Sequence, residues 1–211
     1  MRLSILILLA CLSALAARAH AEADLARGES LYATCASCHG ADAGGNRALS
    51  APRLSHLREV TIVAQLEKFR AGQRGGEGAT ASARQMAPMA ATLPDEQALL
   101  DVAAYIATLD SPVSPATVEG DPALGADYYN QFCGACHGPG AAGNVALNSP
   151  ALAGGDDWYL VAQLQAFRAG ERGAQSGDRT GRQMRAMAAV LPSEQAVADV
   201  VAFIRSLSEG E

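Results

Sequence analysis

Two pentapeptides hold the reactive side chains of this sequence. Cys35-Ala36-Ser37-Cys38-His39 and Cys133-Gly134-Ala135-Cys136-His137 share the spacing Cys-x-x-Cys-His. On one helical turn that spacing sets two thiols side by side, able to bond to the two vinyl groups of one porphyrin. The histidine that follows then turns an imidazole nitrogen toward the iron. A disulfide, a thioredoxin-type redox motif and a zinc site are the other uses of such cysteines. The redox motif sits on a strand–helix unit, and no stretch here alternates like a strand. Zinc takes four Cys or His ligands, and outside the motifs only Cys11, His20 and His56 remain. Two covalently attached haems are therefore expected, held by Cys35, Cys38 and His39 and by Cys133, Cys136 and His137.

A sixth iron ligand decides what such a haem does. Beyond Met1 the methionines come in two pairs, Met86 with Met89 and Met184 with Met187. Methionines three apart on one face commonly pack a core, and spacing does not choose within a pair. No other strong ligand recurs in both halves, however. A thioether favours ferrous iron and raises the potential, which suits electron transfer. His56 has Gly154 as its counterpart, so a solvent-facing or supporting role is expected for it. The carbonyls near Pro52 and Pro150 are placed to accept the second N–H of each haem histidine and fix its ring.

These groups sit in a duplicated chain. From Cys35 onward the sequence repeats at one constant offset of 98 residues without a gap, with roughly half of the positions identical, a self-similarity that marks a true repeat. Val63-Ala64-Gln65-Leu66 returns as Val161-Ala162-Gln163-Leu164, Phe69-Arg70-Ala71-Gly72 as Phe167-Arg168-Ala169-Gly170, and Arg84-Gln85-Met86 as Arg182-Gln183-Met184. Pro112, Pro115 and small polar residues between the copies read as an extended linker. The expected organisation is a leader over 1–21, a first domain over 22–110, a linker over 111–122 and a second domain over 123–211.

Each copy reads as helical. One helix leads into the first cysteine (25–34 and 124–132), and a second with apolar helical spacing ends at Gly72 or Gly170 (61–71 and 159–169). A third opens at Pro94 or Pro192, where proline suits the first helical position. Long Gly- and Ala-rich loops are expected between them.

Composition narrows the function. At 49% apolar the chain can pack a core, and its formal charge of -6 and single lysine, Lys68, provide no basic face for nucleic acid. Residues 3–15 form an apolar core, too short to span a bilayer, behind Met1-Arg2, and Ala19-His20-Ala21 follows as a small-x-small cleavage pattern. An export signal is therefore expected, with a mature start near Glu22 and a periplasmic protein. Leu8-Leu9-Ala10-Cys11 faintly matches a lipidation box, but apolar residues continue past it.

In its two Cys-x-x-Cys-His motifs, Pro52-x-Leu54 and Pro150-x-Leu152, Gln65-Leu66 and Gln163-Leu164, and its paired methionines, the chain resembles the cytochrome c4 family. The likeness runs over essentially the whole mature sequence; the tandem order is its specific mark. It implies an all-α protein of two tandem class I cytochrome c domains, each wrapped around one covalent haem c. It also implies axial ligation by His39 with Met86 and by His137 with Met184, and haem edges that face each other across the domains. The implied role is a monomeric, diffusible or peripherally membrane-associated carrier. It would pass single electrons from a quinol-oxidising complex toward a terminal oxidase or another periplasmic acceptor. Arg84, Arg182, Trp158 and Tyr159 are candidates for contact with haem propionates.

Two rival functions share the motifs. A dihaem peroxidase or thiosulfate-oxidising enzyme needs an open or cysteine-ligated haem and acid–base groups beside it, for which few residues are spare. A cytochrome subunit of a dehydrogenase, such as a flavin-containing sulfide oxidiser, would carry the same haem chemistry as a free carrier.

Overall fold

The computed structural model describes residues 22–208. The expected leader, its cleavage pattern and Cys11 lie outside the described residues. Within them the fold is helical, and the only β pairing among the described residues is two isolated bridges, Asn46 to Ala51 and Asn144 to Ser149.

The first copy contains α1 (Leu25–His39), α2 (Glu59–Arg70), α3 (Ala81–Ala91) and α4 (Glu96–Thr108). In the second, α5 (Pro122–Tyr128) passes through a π-helical turn (Tyr129–Cys133) into α6 (Gly134–His137), followed by α7 (Asp157–Ala169), α8 (Arg179–Ala188) and α9 (Glu194–Ser206). In the first copy α1 packs on α4 and in the second α5 packs on α9, while α2 packs on α3 and α4, and α7 on α8 and α9.

Two differences from the sequence reading concern helices. The segments that carry the methionine pairs are helices, α3 and α8, where loops were expected. Pro88 inside α3 and Gly181 inside α8 disguise them, since both residues are poor helix formers. The last helices begin at Glu96 and Glu194 rather than at the prolines. Asp95 and Ser193 are their caps, accepting from the amides of Ala98 at 2.7 Å and Ala196 at 3.1 Å.

A crossing of helices fixes the core of each copy. A Cβ built on Gly28 would lie 2.2 Å from the Asp101 carbonyl oxygen, and one on Gly125 would lie 1.9 Å from that of Asp199. Only glycine lets α1 meet α4, and α5 meet α9, so closely. Leu99, Val102 and Ile106 fill one core, and Val197, Val200 and Ile204 the other. The buried Asp101 carboxylate accepts from the Asp24 amide, Gln97 and Arg27. Burial opposes its ionisation, but those bonds prevail and hold it below the usual carboxylate range.

The π turn has a cause in the sequence. Asp24 caps α1 eleven residues before Cys35, whereas Asp121 caps α5 twelve residues before Cys133. The turn absorbs the extra residue, as π-bulges do. It brings Tyr129 to where Tyr32 sits: each hydroxyl donates to the carbonyl of the glycine just after the motif histidine, Gly40 at 2.7 Å and Gly138 at 2.6 Å.

Residues 109–121 run between the copies without regular structure. They are pinned along their length. Ser111 is buried against Arg53 and Ser55, and the Thr117 and Val118 amides donate to Asp157.

Candidate haem sites and the interface between them

His39 and His137, the candidate ligands, each end a helix and are nearly buried, at 5% and 4% exposure. The Nδ1 of His39 lies 2.8 Å from the Pro52 carbonyl oxygen, and that of His137 lies 2.9 Å from Pro150. Each Nδ1–H donates there, which fixes the tautomer and leaves Nε2 with a free lone pair. Burial lowers the pKa of both rings despite the bond to the proline carbonyl, so the neutral form, the one able to bind a metal, is favoured.

A tight loop delivers each proline carbonyl. After His39 the chain turns at Gly40, and Gly45 donates back to the His39 carbonyl at 2.8 Å. Gly45 has φ +85, and a Cβ there would meet the Arg53 nitrogen at 2.6 Å. Gly143 repeats this with φ +78 and the Ala151 nitrogen at 2.6 Å. Glycine is needed at both positions on two grounds, its conformation and its closeness.

Cys35, Cys38, Cys133 and Cys136 are unbridged. Burial raises the thiol pKa of Cys35 and pushes that of Cys133 up to about 11. Met86, Met89 and Met184 are half-buried on α3 and α8, whereas Met187 is 41% exposed. The methionine helices rest on α2 and α7, while α1 rests on α4 and α5 on α9. The residues the sequence singled out for each site thus come from separate elements around one scaffold.

The interface between the copies was not legible in advance. Arg74 donates to Gln65 of its own copy at 2.8 Å, and to Gln163 at 3.0 Å and the Tyr159 hydroxyl at 2.6 Å of the other. Arg172 mirrors it, donating to Gln163 at 2.6 Å and Gln65 at 2.9 Å. Each guanidinium also stacks 4.5 Å above a phenylalanine, Phe69 or Phe167. Burial and the neighbouring Arg74 cation push the Arg172 pKa down, yet a guanidinium keeps its proton in a protein. The recurrence of Arg74-Gly75 as Arg172-Gly173 was the available signal. Arg84 and Arg182, the expected propionate contacts, are solvent-exposed. Tyr159 does join the interface, with Trp158 edge-on to its ring at 5.8 Å.

His56 also lies in this interface, not toward solvent. A Cβ on Gly154 would fall 3.1 Å from the His56 Cβ, and one on Gly155 would fall 3.2 Å from its Nε2. Arg53 closes the contact, donating from its amide to Asp156 at 2.7 Å and from Nη1 to the Gly154 carbonyl at 2.7 Å.

The cytochrome c family model matches residues 25–110 and again 122–208. A cytochrome c4 of Stutzerimonas stutzeri is 32% identical over 83% of this chain and 86% of its own length. This chain belongs to the cytochrome c4 family. A thiosulfate dehydrogenase electron acceptor of Stutzerimonas stutzeri is 35% identical over 84% of this chain and 82% of its own. Among solved structures, the reduced cytochrome c4 of Pseudomonas stutzeri superposes with a TM-score of 0.66 at 27% identity, covering 87% of this chain and 98% of the other. As a cytochrome c4-like electron carrier the protein holds two covalent haem c groups, through Cys35 with Cys38 and through Cys133 with Cys136.

The residues present fit that cofactor. Both histidines offer one free nitrogen. No carboxylate among the described residues pairs with Arg74 or Arg172, and the buried Nε of Arg74 has no hydrogen-bond partner. Two half-buried cations side by side favour anions beside them, and a haem carries two carboxylates.

Proposed function

We propose that the protein is a periplasmic carrier of single electrons, with His39 and Met86 as axial ligands in the first domain and His137 and Met184 in the second. Bound haem supplies the ferric–ferrous couple. The chain's own residues set its terms. Pro52 and Pro150 hold the imidazoles, and the thioethers close the sixth positions and favour the reduced state. Arg74 and Arg172 are the counter-charges for haem carboxylates, and they place this polar network between the two redox centres.

The observation that carries this reading is the paired Nδ1-to-proline bond, at 2.8 and 2.9 Å, behind two Cys-x-x-Cys-His motifs. A spectroscopic redox titration of the haem-loaded protein tests it, with two high-potential haems per chain as the expected result. A low-potential haem open to peroxide would contradict it.

For partners we favour a quinol-oxidising complex as donor and a terminal oxidase or another periplasmic acceptor. The acidic sequence, at -6, suits basic docking patches and salt-sensitive encounters. A second reading has specific support, because the 35% identical relative is a thiosulfate dehydrogenase electron acceptor. A thiosulfate dehydrogenase of Marichromatium purpuratum also superposes with a TM-score of 0.67 at 30% identity, this chain spanning 40% of its length. In that reading the protein accepts electrons from such a dehydrogenase. Rapid reduction by a thiosulfate dehydrogenase with thiosulfate, and none by a quinol-oxidising complex, would select it.

A further inference from the structure

The copies differ where one reaches into the other. Lys68, near the end of α2, extends its ammonium across the interface to the Asp178 carboxylate at 2.7 Å and the Thr180 hydroxyl at 2.6 Å. The two charges are well shielded, with side-chain exposures of 18% and 3%. Asp178 is the N-cap of α8, the helix that carries Met184, and the same oxygen that Lys68 grips accepts from the Gly181 amide at 2.9 Å. A Cβ on Gly181 would fall 1.9 Å from the other carboxylate oxygen, so glycine there is what lets the carboxylate seat.

Among the described residues nothing comparable runs the other way. The counterpart of Lys68 is Ala166, buried at 2% exposure. The counterpart of Asp178 is Thr80, a hydroxyl cap on α3 that accepts from Ala83 at 3.3 Å. The helices are capped differently as well as composed differently: α3 is rich in alanine but interrupted by Pro88, whereas α8 carries Thr180 and Gly181 in its first turn.

We propose that Lys68 is a positioning residue for the sixth ligand of the second haem, holding the start of α8 so that Met184 stays on the iron. It rests on the reading of Met184 as ligand. The consequence is one-sided: the methionine bond in the second domain depends on the domain interface, and that in the first does not. Without Lys68 the buried Asp178 carboxylate loses its ammonium partner and keeps only the Gly181 amide and the more distant Arg172 charge, and α8 relieves this by opening toward water.

The test uses the haem-loaded, two-domain ferric protein, titrated with imidazole while its far-red methionine–iron band is followed. In an M86H background that band reports the second haem alone; in an M184H background it reports the first. K68M is expected to lower the imidazole concentration for half-loss about tenfold in the M86H background, the scale of one lost charge-assisted hydrogen bond. K68R should restore most of the difference, and in the M184H background K68M should move the midpoint by less than about twofold, as for an independent site. An unchanged midpoint in the M86H background, or equal shifts in both, overturns the proposal. Absence of any far-red band from M86H itself overturns the ligand reading beneath it.

Discussion

Arg74 reaches Gln163 of the opposite copy at 3.0 Å, and Arg172 returns the bond to Gln65 at 2.9 Å. The two copies thus exchange equivalent hydrogen bonds about a local pseudo-twofold axis, with both cations brought to it. Holding like charges together in a desolvated place is unfavourable unless anions join them. An R172Q variant should therefore lower at least one haem potential, since removing a nearby cation favours the ferric state. A drop on the order of 60 mV, one tenfold change in a one-electron equilibrium, is expected by spectroelectrochemistry. Two unchanged potentials would place the haem carboxylates elsewhere.

The loops that present Pro52 and Pro150 depend on glycine. G143A forces a side chain into the left-handed region and against the Ala151 amide at 2.6 Å. It should cost about 2 kcal/mol or more of stability and loosen the His137 ring. Calorimetry with counting of attached haems checks this. A fully haem-loaded G143A protein with wild-type melting would refute it.

His56 links acidity to the interface. Burial first, and then the Arg53 cation, push its pKa down to about 4. The ring is thus neutral in the folded protein where the unfolded chain is protonated. Its contribution to stability is present above about pH 6.5, the ordinary histidine value, and fades as pH falls toward 4. Asp156, bonded to the Arg53 amide, faces the same contact. Denaturant unfolding should show a loss on the order of 2–3 kcal/mol across that window, absent from H56N. A loss equally large in H56N would assign it to other groups.

Asp157 fastens the segment between the copies. Burial opposes its ionisation, but bonds from the Thr117 amide and hydroxyl and from the Val118 and Trp158 amides win and depress its pKa. That contribution holds above about pH 3.9, the ordinary Asp value, and is lost as pH falls through the lower folded value. D157N should cost about 1–3 kcal/mol at neutral pH and speed proteolysis between residues 111 and 121. Unaltered proteolysis would leave the segment held by other contacts.

The sequence made the attachment chemistry and the duplication plain because both are local. The cysteines, the histidine and the proline carbonyl thirteen residues on lie within one short stretch, a helix end and the loop that follows it. The helices bearing Met86 and Met184 were hidden by Pro88 and Gly181, whose propensities argue against helix although packing on α2 and α7 imposes it. The interface was hidden for a different reason. Arg74 and Gln163 are 89 residues apart, and no periodicity within either copy states how the copies meet. Only the identity of Arg74-Gly75 with Arg172-Gly173 hinted at it.

Ligation is the centre of the account, and the far-red band of ferric, thioether-bound haem reads it directly. Wild-type protein should show a band worth two haems, M86A and M184A one each, and the double variant none, while M89A and M187A keep both. Full intensity in M86A or M184A, with loss in M89A or M187A instead, would contradict the assignment.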